Sequence, residues 1–155
     1  MHNIKNLKNF IKGFSKDRLV IYSILLIVLI VSLYLFFDIL IWLRIQAFII
    51  SQDIIINSKY ALELSIIKNE KIVYNFFYSP KTKSILYYWI YGENTKKAYL
   101  LPQLLPSGIK AESPTKTYTF YFENGKIYPE GEIIISTYLS KRTVKFYKNG
   151  KVKFD

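Results

Sequence analysis

From Leu19 to Phe37 none of the nineteen positions is charged, and only Tyr22, Ser23, Ser32 and Tyr34 break a run of aliphatic and Phe side chains. As an α-helix the run would rise about 28 Å, close to the roughly 30 Å hydrocarbon thickness of a bilayer. It predicts a membrane-crossing helix over residues 19–43, running on through Asp38-Ile-Leu-Ile-Trp-Leu43. No Gly or Pro intervenes from Asp38 to Asn57. Over this stretch Ile45, Phe48, Ile49, Gln52, Ile55 and Ile56 recur at helical spacing, and Arg44, Ser51 and Ser58 stand seven apart on another face. The expectation is one continuous helix from near residue 17 to near residue 58. Its amphipathic second half, 44–58, would lay the isoleucine-rich stripe on a following domain. The β-branched Ile54-Ile55-Ile56 leaves a strand open as the alternative there.

After Tyr60 the period becomes two, which opens a β domain over 59–155. Leu62, Leu64 and Ile66 alternate with Glu63 and Ser65, Lys68-Asn69-Glu70-Lys71 turns, and Ile72 to Tyr78 reads as a strand. Ser79 to Lys83 is a turn, Ile85 to Tyr91 an aromatic strand, and Gly92-Glu93-Asn94 a turn. Ala98 to Pro114, with Pro102, Pro106, Gly108 and Pro114, reads as loop with one short edge strand. Thr117 to Phe122 alternates and meets the Asn124-Gly125 turn. Glu132 to Tyr138 and Thr143 to Tyr147 are strands, and Asn149-Gly150 turns the chain into Val152 to Phe154. One long helix followed by six to eight short antiparallel strands is an α+β arrangement.

Charge sets the topology. Lys5, Lys8, Lys12, Lys16 and Arg18 precede the apolar run with only Asp17 against them, so residues 1–18 form a basic cytoplasmic leader and the β domain lies outside the inner membrane. A cleaved secretory signal is the rival reading, but its apolar region would be shorter and end in a small-residue cut site. Without Cys, neither a lipid-modified cysteine nor a disulfide can hold the chain. The formal net charge is +11, most of it beyond Arg44, which suits an anionic membrane, an acidic partner or nucleic acid without choosing among them.

Catalytic chemistry finds little to work with. The single His is His2, in the leader, which leaves the outer domain no His-dependent triad and no His/Cys metal site. Ser65-Ile-Ile-Lys68 has the bare Ser-x-x-Lys spacing but falls on a strand and a turn. Glu123, Glu130 and Glu132 cluster around a turn, where a solvated role outweighs a carboxylate pair. No cofactor and no small-molecule substrate are expected.

Two features suit binding. Lys141, Arg142, Lys145, Lys148, Lys151 and Lys153 crowd the last strands, with Lys151 and Lys153 sharing a face opposite Val152 and Phe154. They are candidates for contact with a neighbouring subunit or with DNA phosphates; a solvated edge kept basic against strand addition is the other reading. In Tyr87-Tyr88-Trp89-Ile90-Tyr91 alternate members cannot all face one core. Either part of the strand is an exposed aromatic contact, or it is buried on both faces.

The chain resembles minor pseudopilins and minor type IV pilins of the GspH/FimT kind. The likeness rests on Tyr121 with Gly125, on Gly131-Glu-Ile133-Ile-Ile135, and on Arg142-Thr-Val144 leading to Gly150-Lys-Val152, all after a long N-terminal helix. The resemblance implies a structural subunit, not an enzyme: a helix stored in the inner membrane, packed against other pilin-like subunits in a type II secretion or type IV pilus-like assembly. It also implies cleavage of the leader at Gly13-Phe14, although Arg18 stands where the family carries a Glu, with Asp17 one residue earlier. A second likeness is to MORN-type hairpin repeats, since Tyr121-Phe-Glu-Asn-Gly-Lys-Ile127 is echoed by Phe146-Tyr-Lys-Asn-Gly-Lys-Val152. It goes with the alternative of a single-span scaffold or binding module that does not polymerise.

Overall fold

The computed structural model describes residues 16–155. The chain divides into two units, Met1–Ile39 and Leu40–Asp155. A single helix, α1 (Lys16–Ile67), begins in the first and ends in the second. In the first unit every side chain from Arg18 to Ile39 is exposed. The most apolar window of α1 has a mean hydropathy of 3.0, so by length and composition the helix can cross a membrane.

In the second unit nine strands follow the helix: β1 (Ile72–Ser79), β2 (Ser84–Gly92), β3 (Ala98–Leu104), β4 (Lys110–Glu112), β5 (Thr119–Glu123), β6 (Lys126–Tyr128), β7 (Gly131–Ser136), β8 (Lys141–Phe146) and β9 (Val152–Phe154). They form a five-stranded sheet in the order β3-β2-β1-β5-β6 and a four-stranded sheet in the order β4-β7-β8-β9, antiparallel throughout. The α+β class expected from the sequence is what the chain adopts.

The sheets join at two places. Ser84 Oγ donates to the Ala111 carbonyl at 3.1 Å and ties β2 to β4. The β5–β6 turn abuts the β8–β9 turn, where Ile127 N donates to the Lys148 carbonyl at 3.3 Å. Between them the inner faces make one aromatic core. Phe120 and Phe146 stack at 3.9 Å between centroids, and Phe76 meets Phe120 edge-on at 5.9 Å.

Two expectations about the helix are corrected. It does not stop near residue 58 but continues to Ile67, so Leu62, Leu64 and Ile66 are helical rather than alternating along a strand. The buried positions Ile54, Ser58, Ala61 and Ser65 repeat every three or four residues, a longer and stronger signal than a five-residue alternation. The packing face is also the other one. Ala47, Ile50, Ser51, Ile54, Ser58, Ala61 and Ser65 enter the core, while Ile45, Phe48, Ile49 and Ile56 are 43–59% exposed; of the expected stripe only Ile55 is buried.

The reason is volume. The sheets fill the interior with Tyr74, Phe76, Phe120, Phe122 and Phe146, so the helix meets them along a face in which the small residues Ala47, Ser51, Ser58, Ala61 and Ser65 are interspersed with Ile50, Ile54, Ile55 and Leu64. The buried serines satisfy their hydroxyls on their own helix: Ser51 Oγ donates to Ala47 O and Ser58 Oγ to Ile54 O, both at 2.6 Å, and Ser65 Oγ to Leu62 O at 2.7 Å. They therefore act in the core as small spacers with no unmade hydrogen bond.

Ala98–Pro114 also holds more strand than expected. Seven-residue β3 tolerates Pro102 because it lies at a sheet edge, where its pairing with β2 shifts register between Ile90–Leu100 and Tyr88–Gln103. The two Asn-Gly turns differ. Asn124 and Gly125 both have positive φ, as a two-residue hairpin requires, whereas in the second turn only Gly150 does. The echoed hairpins belong to different sheets, so they are not successive rungs of one repeat.

Candidate functional site

The second unit presents three surfaces. The first is the outward face of α1, where Ile45, Phe48, Ile49, Ile56 and Tyr60 are each at least 42% exposed along four turns of helix. Exposed apolar side chains recurring on one face of a helix, here interrupted by Gln52 and Lys59, suit packing against another helix. This face exists because the core takes the serine and alanine seam instead.

The second surface is the outward side of the five-stranded sheet. Tyr88 and Ile90 point into the core, and Tyr87, Trp89 and Tyr91 point away from it, half-buried. Phe77 stacks on Tyr87 at 4.7 Å, Tyr87 lies 5.4 Å from Trp89, and Trp89 lies 6.4 Å from Tyr91. Lys71 Nζ sits 4.3 Å from the Tyr121 ring centroid and 3.0 Å from Glu93 Oε2; its hydrogen bond to Glu93 raises its pKa.

The third is the basic end of the chain, where the structure separates residues that the sequence places together. Arg142 turns inward on β8: its guanidinium lies 4.8 Å from the Phe48 ring centroid, and its buried Nε has no hydrogen-bond partner. Phe48 also stacks with Phe154 at 6.5 Å, so the arginine packs against the helix. Lys145 pairs with Asp155 and stands in register between Glu132 and Lys153, and the hydrogen bond to Asp155 raises its pKa. Lys148 and Lys151 are exposed in the β8–β9 turn, Lys153 is exposed on β9, and Lys141 is exposed at the far end of β8. The six do not make one stripe. Gly13 and Phe14 lie outside the described residues.

The sequence reading passed over Glu70, the carboxylate that organises the β2–β3 turn. It accepts hydrogen bonds from Thr95 N at 2.8 Å, Asn94 N at 3.2 Å and Tyr99 Oη at 3.1 Å. The Thr95 amide bond leads in holding its pKa below the ordinary carboxylate value, outweighing desolvation. Gly92 makes room, since a Cβ there would lie 2.3 Å from Glu70 Oε1. A single Glu between a helix end and a strand gives no sequence signal for this role. Buried Tyr88 is pushed up to about 12 by desolvation, and Tyr128 to about 12 by its hydrogen bond to Glu123.

The other spacings of interest do not assemble. Ser65 is spent on its own helix, Glu130 accepts from Lys148 N at 2.8 Å, and Glu123 bonds Tyr128. Among the described residues no three His, Cys, Asp or Glu side chains are placed to hold a metal ion.

A long N-terminal helix followed by antiparallel sheets is the arrangement of the pilin fold. Among solved structures, the type IV minor pilin FimU of Pseudomonas aeruginosa superposes with a TM-score of 0.52, covering 68% of this chain and 89% of FimU at 13% identity. The likeness is one of fold. No family model and no curated protein sequence matches the chain.

Proposed function

We propose that the chain is a membrane-anchored, pilin-like structural subunit that works by helix-to-helix assembly in a type II secretion or type IV pilus-like machine. The observation that carries this reading is the distribution of apolar surface on α1. From Arg18 to Ile39 every side chain is exposed, and beyond that Ile45, Ile49, Ile56 and Tyr60 stay largely exposed although the domain has a complete core. The first stretch fits storage in a bilayer and the second fits a neighbouring helix. The basic leader keeps the N-terminus in the cytoplasm and the sheets outside.

Cleavage between Gly13 and Phe14 belongs to the same reading. It is read as the intact mass of protein purified from membranes: a chain beginning at Phe14 supports it, and the full-length mass contradicts it. Assembly is tested by formaldehyde cross-linking in cells, detergent extraction and mass spectrometry of the products. The expected products contain other pilin-like subunits. Monomer alone, under conditions that cross-link a known assembly in the same cells, would favour the non-polymerising scaffold.

A further inference from the structure

At one end of the four-stranded sheet, Lys110, Ser136 and Lys141 stand in register across β4, β7 and β8. From this row the β7–β8 hairpin projects. Its turn is fixed by Thr137 N donating to Ser140 O at 2.8 Å, with Ser140 N and Leu139 N donating to Thr137 Oγ1 at 3.1 and 3.3 Å. Held at its tip, Tyr138 is 88% and Leu139 56% exposed. An ordered turn that holds an exposed Tyr and Leu at its tip with two lysines beside them has the amphipathic make-up of a boundary between water and an apolar phase.

Its place in the domain says what covers it. Tyr138, Thr137 and Ser136 line a depression of about 250 Å³ with Gly108, Ile109 and Lys110, and none of the six is acidic. Gly108 packs on Leu43, whose Cδ2 lies 2.9 Å from where a Gly108 Cβ would be. Leu43 comes six residues after Phe37, the end of the apolar run, and six residues of chain reach only about 20 Å even when fully extended. Beside Leu43, Trp42 is 59% exposed and Arg44 is exposed, an aromatic and a cation of the kind enriched at the headgroup level.

We propose that this corner is a lipid-contact surface. Tyr138 and Leu139 enter the headgroup layer of the bilayer that α1 crosses, and Lys110 and Lys141 hold the phosphates of anionic lipids. An amphipathic ring such as Tyr fits that layer, and lysines near an anionic surface add attraction that falls off within a Debye length. Before assembly the contact holds the domain against the membrane; extraction of the helix into a filament breaks it. The inference rests on the membrane-anchored reading above.

The test uses the full chain, which has no native Cys, reconstituted in phosphatidylcholine vesicles with or without 30% phosphatidylglycerol. A polarity-sensitive fluorophore is attached in turn to Y138C, to N149C in the turn at the other end of β8, and to L26C in the apolar run. Y138C is expected to shift to the blue and be quenched several-fold more by spin-labelled lipid than N149C, and only when anionic lipid is present. Lys110→Gln with Lys141→Gln should remove that dependence while the near-ultraviolet circular dichroism of the core is unchanged. If L26C is quenched but Y138C behaves like N149C, the lipid-contact proposal falls and the anchor stands. If L26C itself is not quenched, the anchored reading fails and takes this proposal with it. Quenching of Y138C that ignores lipid charge overturns the role given to the lysines.

Discussion

Ser58→Leu tests the packing of α1 most sharply. Ser58 is fully buried, its hydroxyl is satisfied by Ile54 O at 2.6 Å, and it belongs to the buried face of the helix. Leucine there adds two heavy atoms to a fully buried position, and overpacking of this kind costs about 1–3 kcal/mol. Taking about 2 kcal/mol, with roughly 4 °C lost per kcal/mol in a domain of this size, the melting temperature should fall by about 8 °C. Ser58→Ala should be neutral or slightly stabilising, because the hydroxyl bonds only its own helix and alanine is the better helix former. Ile56→Ser, on the face that the bare spacing would have buried, loses only the part of its side chain that is covered at 59% exposure, about 1 kcal/mol or less. The assay is thermal unfolding of the full chain in mild detergent, followed by near-ultraviolet circular dichroism of the aromatic core. An Ile56→Ser variant that melts as low as Ser58→Leu would refute the seam.

Gly150 combines φ of +81° with a Cβ position 2.5 Å from the Gly125 carbonyl oxygen, so Gly150→Ala should cost about 2 kcal/mol or more; Gly125→Ala, at φ +76° with nothing within 4 Å, should cost only about 1 kcal/mol in the same melt. Glu70 has its pKa lowered by the Thr95 amide, so its stabilisation is fully present above its ordinary value of 4.5 and is lost as pH falls through the lower folded value. Glu70→Gln should therefore flatten the acid limb of a stability–pH curve and leave its shape above pH 6 unchanged; an unaltered acid limb would remove the clamp. With Arg142 turned inward, Lys145 paired and Lys141 at the far end of β8, only Lys148, Lys151 and Lys153 stay exposed together, so duplex DNA should not bind the reconstituted chain at 150 mM salt, and reversal of those three to Glu should change nothing. Retention of DNA by the parent that is lost in the reversal would make those lysines a nucleic-acid contact.

Much of the architecture is legible in the residue order because its signals are local. The uncharged run of Leu19–Phe37, the alternation of Tyr118, Phe120 and Phe122 with Thr119 and Tyr121, and the two Asn-Gly turns each mark their element without long-range help. What is not legible depends on what lies opposite. Both faces of residues 45–58 carry isoleucines and are compatible with a core, and only the bulk of the sheet rings decides that the face with Ser51, Ile54 and Ser58 is buried and the one with Ile45, Ile49 and Ile56 is not. The end of the helix was obscured because Leu62, Leu64 and Ile66 alternate by chance over a stretch too short to separate the two periods. Arg142 sits within a run of cations, yet strand parity turns it to the side opposite Lys141 and Lys145, toward Phe48.

The most direct test of assembly through α1 is a disulfide scan of residues 44–60, with single cysteines introduced into a chain that has none and oxidised in intact cells. Cross-links between subunits should recur at helical period, strong at positions 45, 49, 52 and 56 and absent at 47, 51, 54 and 58. A scan with no cross-linked product at any position, or with products that ignore that period, would contradict the account.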